Sequence, residues 1–118
     1  MTLLEVILIL IQIESGGDTH AIGDGGRAVG VLQIHSCVIE DVNRIYNTTY
    51  TLRDRYDKQR SIAIALHYLS HYCTPERIGR QPTPMDAARI WNGGPRGWRR
   101  LATKNYENKF IKQLNIKI

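Results

Sequence analysis

The segment Leu3–Glu14, LLEVILILIQIE, constrains this chain more than any other. Read at helical spacing, residues 4, 7, 8 and 11 form one apolar stripe, and 3, 6, 10 and 13 form a second. A helix that is apolar almost all round belongs in the middle of a core. Its longest unbroken run, Val6–Ile11, falls well short of the roughly 20 residues that cross a bilayer. Glu5 interrupts it early and no basic residue leads it, so it reads as a structural helix and not as a cleaved export signal. The other elements must then wrap around it. With 118 residues there is room for one core, and the expectation is a single domain over residues 1–118.

Gly16-Gly17 ends that helix, as glycine does beyond a helix C-terminus. Six glycines fall between positions 16 and 30, which suits turns or a small irregular β-hairpin. A second helix is expected over 36–46, with Val38, Val42 and Ile45 inward, followed by the polar loop NTTYTLRDRYD. Residues 57–72 form the clearest helix after the first: Ile62, Ala65, Leu66, Leu69 and Cys73 recur on one face, and Asp57 is placed to cap it. TPERIGRQPTP reads as a linker. Thr83-Pro84 starts a short helix that reaches Trp91 and stops at Asn-Gly-Gly-Pro. A last helix is expected over 98–115, with Leu101, Tyr106, Phe110 and Leu114 inward. The fold class is mainly α (α+β): about five helices around the buried first one.

Charge divides unevenly. Residues 1–51 carry two basic and six acidic side chains, whereas residues 52–118 carry fourteen basic and five acidic ones. A basic second half suits an anionic partner: nucleic acid, an anionic membrane, or a bacterial wall with its peptide carboxylates and teichoic acids. The two cysteines lie in His35-Ser-Cys37 and His71-Tyr-Cys73. Two H-x-C pairs leave three readings open: a zinc site at an unusual ligand spacing, a disulfide, or two ordinary packed thiols.

Glu14 is the residue with chemistry to explain. It closes an apolar helix at the negative end of the helix dipole, and both burial and dipole disfavour its ionised form. A carboxyl that stays protonated near neutral pH can donate a proton to a leaving group. Glycosidic oxygen leaves poorly unless protonated, so glycoside cleavage is the reaction that most needs such an acid.

The segment Glu14-Ser15-Gly16-Gly17, followed by Ala28-x-Gly30-x-x-Gln33-Ile34, resembles the catalytic signature of the lysozyme-like superfamily, closest to the soluble lytic transglycosylase-type domains of bacteria and phages. Ile90-Trp91-Asn92-Gly93-Gly94-Pro95 resembles that family's Tyr-Asn-Ala-Gly-Pro segment, and Ala102-Thr103-x-x-Tyr106 its closing Glu-Thr-x-x-Tyr. The resemblance spans nearly the whole chain with its motifs in order. It implies a lysozyme-like fold, Glu14 as the catalytic acid, Ser15 ordering the turn beside the substrate, Gln33 and Asn92 positioning N-acetyl sugars, and Tyr106 close to the acid. Trp91 stands where the family has tyrosine; its ring can lie on a sugar face but brings no phenol hydroxyl. Ala102 replaces the family's glutamate, which loosens the start of the last helix.

The run GDGGRAVGVLQIH also resembles the Asp-Gly-Gln-Ile order of invertebrate-type lysozymes, with Asp24 in the place of their second carboxylate. There such a group holds a water or stabilises positive charge. Single-glutamate transglycosylases instead use the substrate's acetamido group and release an anhydro sugar. An aspartate in a glycine-rich turn is also a plain turn-former. The expectation is therefore an enzyme of bacterial peptidoglycan that needs no cofactor or metal, works as a monomer without nucleic acid or a membrane span, and acts on the wall after delivery by other proteins, as a phage endolysin or virion component does. Two other readings remain: a nucleic-acid-binding module built on Arg96, Arg99, Arg100 and Lys104, and a catalytically silent wall-binding protein.

Overall fold

The computed structural model of the chain describes residues 1–117. Six helices and one short hairpin follow in the order α1 (Leu3–Glu14), β1 (Ile22–Gly23), β2 (Ala28–Val29), α2 (Ser36–Tyr46), α3 (Lys58–Tyr72), α4 (Pro75–Ile78), α5 (Pro84–Gly93) and α6 (Lys104–Lys117). The architecture is mainly helical with a two-stranded antiparallel sheet, the lysozyme-like α+β class expected from the sequence.

Helix α1 packs against α3, α5 and α6. It opens with a reciprocal cap: the Thr2 hydroxyl accepts from the Glu5 amide and the Glu5 carboxylate accepts from the Thr2 amide. Val6, Ile7, Ile9, Leu10 and Ile11 are buried and meet Ile64, Ala65, Leu69, Ile90 and Phe110 in one cluster. The helix is not enclosed all round, however. Leu4 and Leu8 are 45% and 44% exposed. Leu4, Leu8 and Gln12 recur every four residues on one face, and the three packed helices leave that face uncovered.

Helix α3 starts where expected, with the Asp57 carboxylate accepting from the Arg60 amide. Within the linker after it, Thr74 and Pro75 start the one-turn helix α4, whose last member Ile78 is buried. Helix α5 carries a second reciprocal cap between Thr83 and Asp86. The Arg80 guanidinium grips Asp86 with bonds of 2.7 and 2.9 Å. Burial alone would raise that carboxyl, but Arg80 and Thr83 together hold it below its ordinary value.

The last helix begins later than its periodicity suggests. Two short 3₁₀ turns, Gly97–Arg99 and Leu101–Thr103, precede α6, and Leu101 is 89% exposed instead of inward. Thr103 causes this. Its hydroxyl is buried among the carbonyls of Gly97 and Arg100, at 2.6 and 2.9 Å, and accepts from Arg89 Nε at 2.8 Å. The chain is thereby drawn into turns before the helix can start. Tyr106 and Phe110 are buried and Leu114 packs partly against the core, as expected.

The hairpin registers Ile22 with Val29 and Gly23 with Ala28. Gly30 follows at φ +84°, a left-handed conformation, and a Cβ there would sit 1.8 Å from the Arg55 carbonyl oxygen. The hairpin can approach the segment before α3 only because position 30 has no side chain. No described helix is long and apolar enough to cross a membrane. Cys37 is exposed and Cys73 half-buried; both thiols are free, and burial raises that of Cys73 to about 11.

Candidate active site

A cleft of about 350 Å³ opens between the hairpin, the start of α2 and the end of α5, and Glu14, Asp24, Gln33, His35, Trp91 and Asn92 line it. Four separate stretches of sequence therefore converge on one cavity.

Glu14 is the last residue of α1 and is half-buried. Behind it the Tyr106 hydroxyl donates to Glu14 Oε2 at 2.6 Å, from a ring only 7% exposed. This contact joins residues 92 positions apart, so it reports the packing of α6 against α1 directly. Burial pushes the Glu14 carboxyl above its ordinary value. The Tyr106 hydroxyl and the Lys109 ammonium, one turn further along α6, act in the opposite sense because both favour the ionised form. Burial wins. The Tyr106 phenol is itself held well above its ordinary value by desolvation and by the Glu14 carboxylate, so it stays a donor. Glu14 is thus a carboxyl at the cleft wall, held from behind by Tyr106, whose neutral form is favoured by burial.

Ser15 is used by the fold. Its hydroxyl donates to the Val31 carbonyl at 2.8 Å and accepts from the Gly17 amide at 3.0 Å, tying the end of α1 to the segment after β2. It does not line the cleft.

Gln33 takes φ +51° at the end of the turn that starts at Gly30. Its amide nitrogen donates to the carbonyls of Ala21 and Gly30, both at 3.0 Å. Its Oε1 lies where a Cβ on residue 23 would stand, 2.4 Å away, so Gly23 makes the seat for this side chain. The hairpin and the glutamine lock each other.

Asp24 also adopts a positive φ, +49°, an arrangement that aspartate tolerates better than most residues. Its two oxygens face different side chains: Oδ1 lies 3.4 Å from the Arg27 guanidinium and Oδ2 lies 3.4 Å from His35 Nε2. Both contacts are long and solvent-accessible. Asp24 is therefore loosely held at the cleft wall, in contrast to Glu14.

Trp91 is half-buried and serves two purposes. It packs edge-on against Tyr68, with centroids 5.8 Å apart at 88°, and it also lines the cleft. Asn92, next to it, is exposed at the rim. Trp91 and Tyr106 both pack with the core while Trp91 lines the cleft and Tyr106 bonds to Glu14.

His35 and Thr103, both inside the sequence motifs, take parts that the motifs do not assign to them. His35 stands two residues before Cys37 and two after Gln33; it lines the cleft and faces Asp24. Among the described residues no three His, Cys, Asp or Glu side chains gather as they would around a metal.

No curated protein matches the chain in a sequence comparison. The family model described as the transglycosylase SLT domain matches residues 1–114, nearly the whole length, so the chain belongs to that family, whose domains carry out lytic transglycosylase-type degradation of cell-wall peptidoglycan.

Proposed function

We propose that residues 1–118 form one catalytic domain that cleaves the β-1,4 bond between N-acetylmuramic acid and N-acetylglucosamine, with Glu14 as general acid. The observation that carries this reading is the half-buried Glu14 carboxyl, raised by its surroundings and fixed by Tyr106, at the wall of a cleft that Gln33, Trp91 and Asn92 also line. Glu14 protonates the departing glycosidic oxygen as positive charge develops on the ring. Gln33 and Asn92 orient the N-acetyl groups, and the Trp91 ring bears against a sugar face. No cofactor takes part, and the chain acts as a monomer on the wall. Delivery by other proteins, as for a phage endolysin, fits this reading.

Two endings of the reaction are open to this cleft. Family membership favours attack by the substrate's own groups and an anhydro product. Asp24, on the same cavity as Glu14, favours a second carboxylate that holds water and gives a reducing end. Mass spectrometry of digested peptidoglycan separates the two. The primary test is Glu14→Gln, which keeps the shape and an acceptor for Tyr106 but has no proton to give. Wall-lytic turnover should fall by about 10²–10⁴-fold, the usual worth of a positioned acid. Parental turnover in a folded Glu14→Gln protein would rule this chemistry out.

A further inference from the structure

The cleft does not end at Trp91. Val38 lines it on one side and on the other lines a neighbouring groove, with Cys37, Glu40, Asp41, Arg44, Tyr68, Gly94 and Pro95. Pro95 in turn is shared with a third depression, formed by Arg77, Arg96, Trp98 and Arg99. The three hollows are thus neighbours, each sharing one lining residue with the next, from Glu14 past Gly94-Pro95 to a basin with three guanidinium groups.

The basin is built for an anion. Arg77, Arg96 and Arg99 are all exposed, and none pairs with a carboxylate among the described residues. Two of them are nonetheless held in place. Arg99 lies over the Trp98 ring at 5.6 Å, and Arg77 lies over the Tyr72 ring at 5.1 Å with an amino group 2.8 Å from His71 Nε2. Stacking on an aromatic face fixes a guanidinium while leaving its N–H edge open to a planar acid. The local positive field also acts on His71, whose imidazolium is disfavoured by burial and then by Arg77. Elsewhere on the molecule arginines near acids are paired: Arg44 with Asp41, Arg60 with Asp54, Arg80 with Asp86 and Arg89 with Glu107. Three cations facing one hollow without a carboxylate are a different arrangement.

We propose that this basin binds carboxylates of the peptide substituent carried by the same glycan strand that occupies the cleft. The inference rests on the peptidoglycan reading above and adds to it a site that recognises the peptide. Proximity and charge select the ligand: on the peptidoglycan reading, the carboxylates nearest three unpaired guanidinium groups are those of the peptides borne by the strand in the cleft. The intermediate groove has a mixed lining suited to a short peptide, with the Tyr68 ring beneath it and the Asp41–Arg44 pair at its side. Planar carboxylates then meet guanidinium forks in the geometry that gives paired, charge-assisted bonds.

The test compares equilibrium binding in solution, by calorimetric titration, of the parent and an Arg77→Gln/Arg96→Gln/Arg99→Gln protein with two soluble, uncross-linked glycan substrates at low salt. One carries its peptides and no teichoic acid; the other is the same material after an amidase has removed the peptides, leaving one lactyl carboxylate on each muramic acid. The parent should bind the peptide-bearing form about 10-fold more tightly, a preference that shrinks as salt rises, and the triple variant should lose that preference. An Arg→Lys version of the triple, which keeps the charge without the fork, should recover only part of it. An undiminished preference in the Gln variant, or equal parental affinity for both substrates, overturns the proposal. A third sample with teichoic acid left on completes the test: a preference that appears only there also overturns the proposal, since the anion would then be phosphate. Binding is read without turnover, so a parent that binds selectively but cleaves neither substrate counts against the enzymatic reading and leaves the basin standing.

Discussion

Tyr106→Phe isolates the contact on which the acid depends. The substitution keeps a ring that is 7% exposed and deletes only the hydroxyl that donates to Glu14 Oε2 at 2.6 Å. A hydrogen bond to an ionised group is worth about 1.5–3 kcal/mol and one between neutral groups about 1 kcal/mol. The loss should therefore be larger when Glu14 is ionised. The sign follows from linkage: burial already raises the folded-state pKa of Glu14, so its stabilising protonation is full at acid pH and is lost as pH rises through the folded value. Removing Tyr106 withdraws a group that favours ionisation, and the folded value rises further. For a chain of this length, about 2 kcal/mol lowers the melting temperature by roughly 5–10 °C. Thermal unfolding should show a loss of that order at pH 8 and less than half of it at pH 4. The alkaline limb of the pH–rate profile should move to higher pH, because the acid keeps its proton longer, even as peak turnover falls. Equal thermal losses at both pH values, with an unmoved alkaline limb, would refute the idea that Tyr106 tunes Glu14 and would reduce it to a packing residue.

Gly30→Ala places a methyl group 1.8 Å from the Arg55 carbonyl oxygen at a left-handed φ, so it should cost about 3 kcal/mol or more in denaturant unfolding; a change under about 0.5 kcal/mol would show that the hairpin is free to move away. Asp24→Asn should cut turnover by about 10²-fold with reducing product ends if the carboxylate holds water, and should be nearly silent with anhydro ends if Asp24 only shapes its turn. A silent substitution with reducing ends would defeat both accounts and turn the search to His35 on the same cleft.

The helical frame was legible because it is written in short-range signals. Asp57, Thr83 and Pro84 mark helix starts by local hydrogen bonding and fixed φ, and the structure has them doing so. What periodicity missed depends on partners far away in sequence. Leu101 lies five residues before Tyr106 and nine before Phe110, so even a continuous helix would turn it away from their face; Thr103 further draws the backbone into turns through Arg89, Gly97 and Arg100, and no local propensity encodes that network. Leu4 and Leu8 misled for the opposite reason: hydrophobicity says that a helix can be buried, but only the number of neighbours decides how much of it is. The position of Glu14 at the end of α1 could be read directly, whereas its environment could not, since the opposing influences come from Tyr106 and Lys109 at the far end of the chain.

The glycine-rich loop answers to the same division between local and distant causes. Its composition announces turns, but which glycine matters is decided elsewhere: Gly30 by the Arg55 carbonyl, Gly23 by the Gln33 amide. Gln33 in turn is anchored to Ala21 and Gly30, and Ser15 ties the end of α1 to Val31. The loop is thus fastened at both ends of its span, while at its tip the Asp24 carbonyl accepts from the Arg27 amide and guanidinium and the Asp24 carboxylate has two long contacts, to Arg27 and His35. Glu14, bonded at short range by Tyr106, and Asp24, whose carboxylate has only longer contacts among the described residues, thus line one cleft with unequal support, and Asp24→Asn tests whether the less firmly held carboxylate takes part.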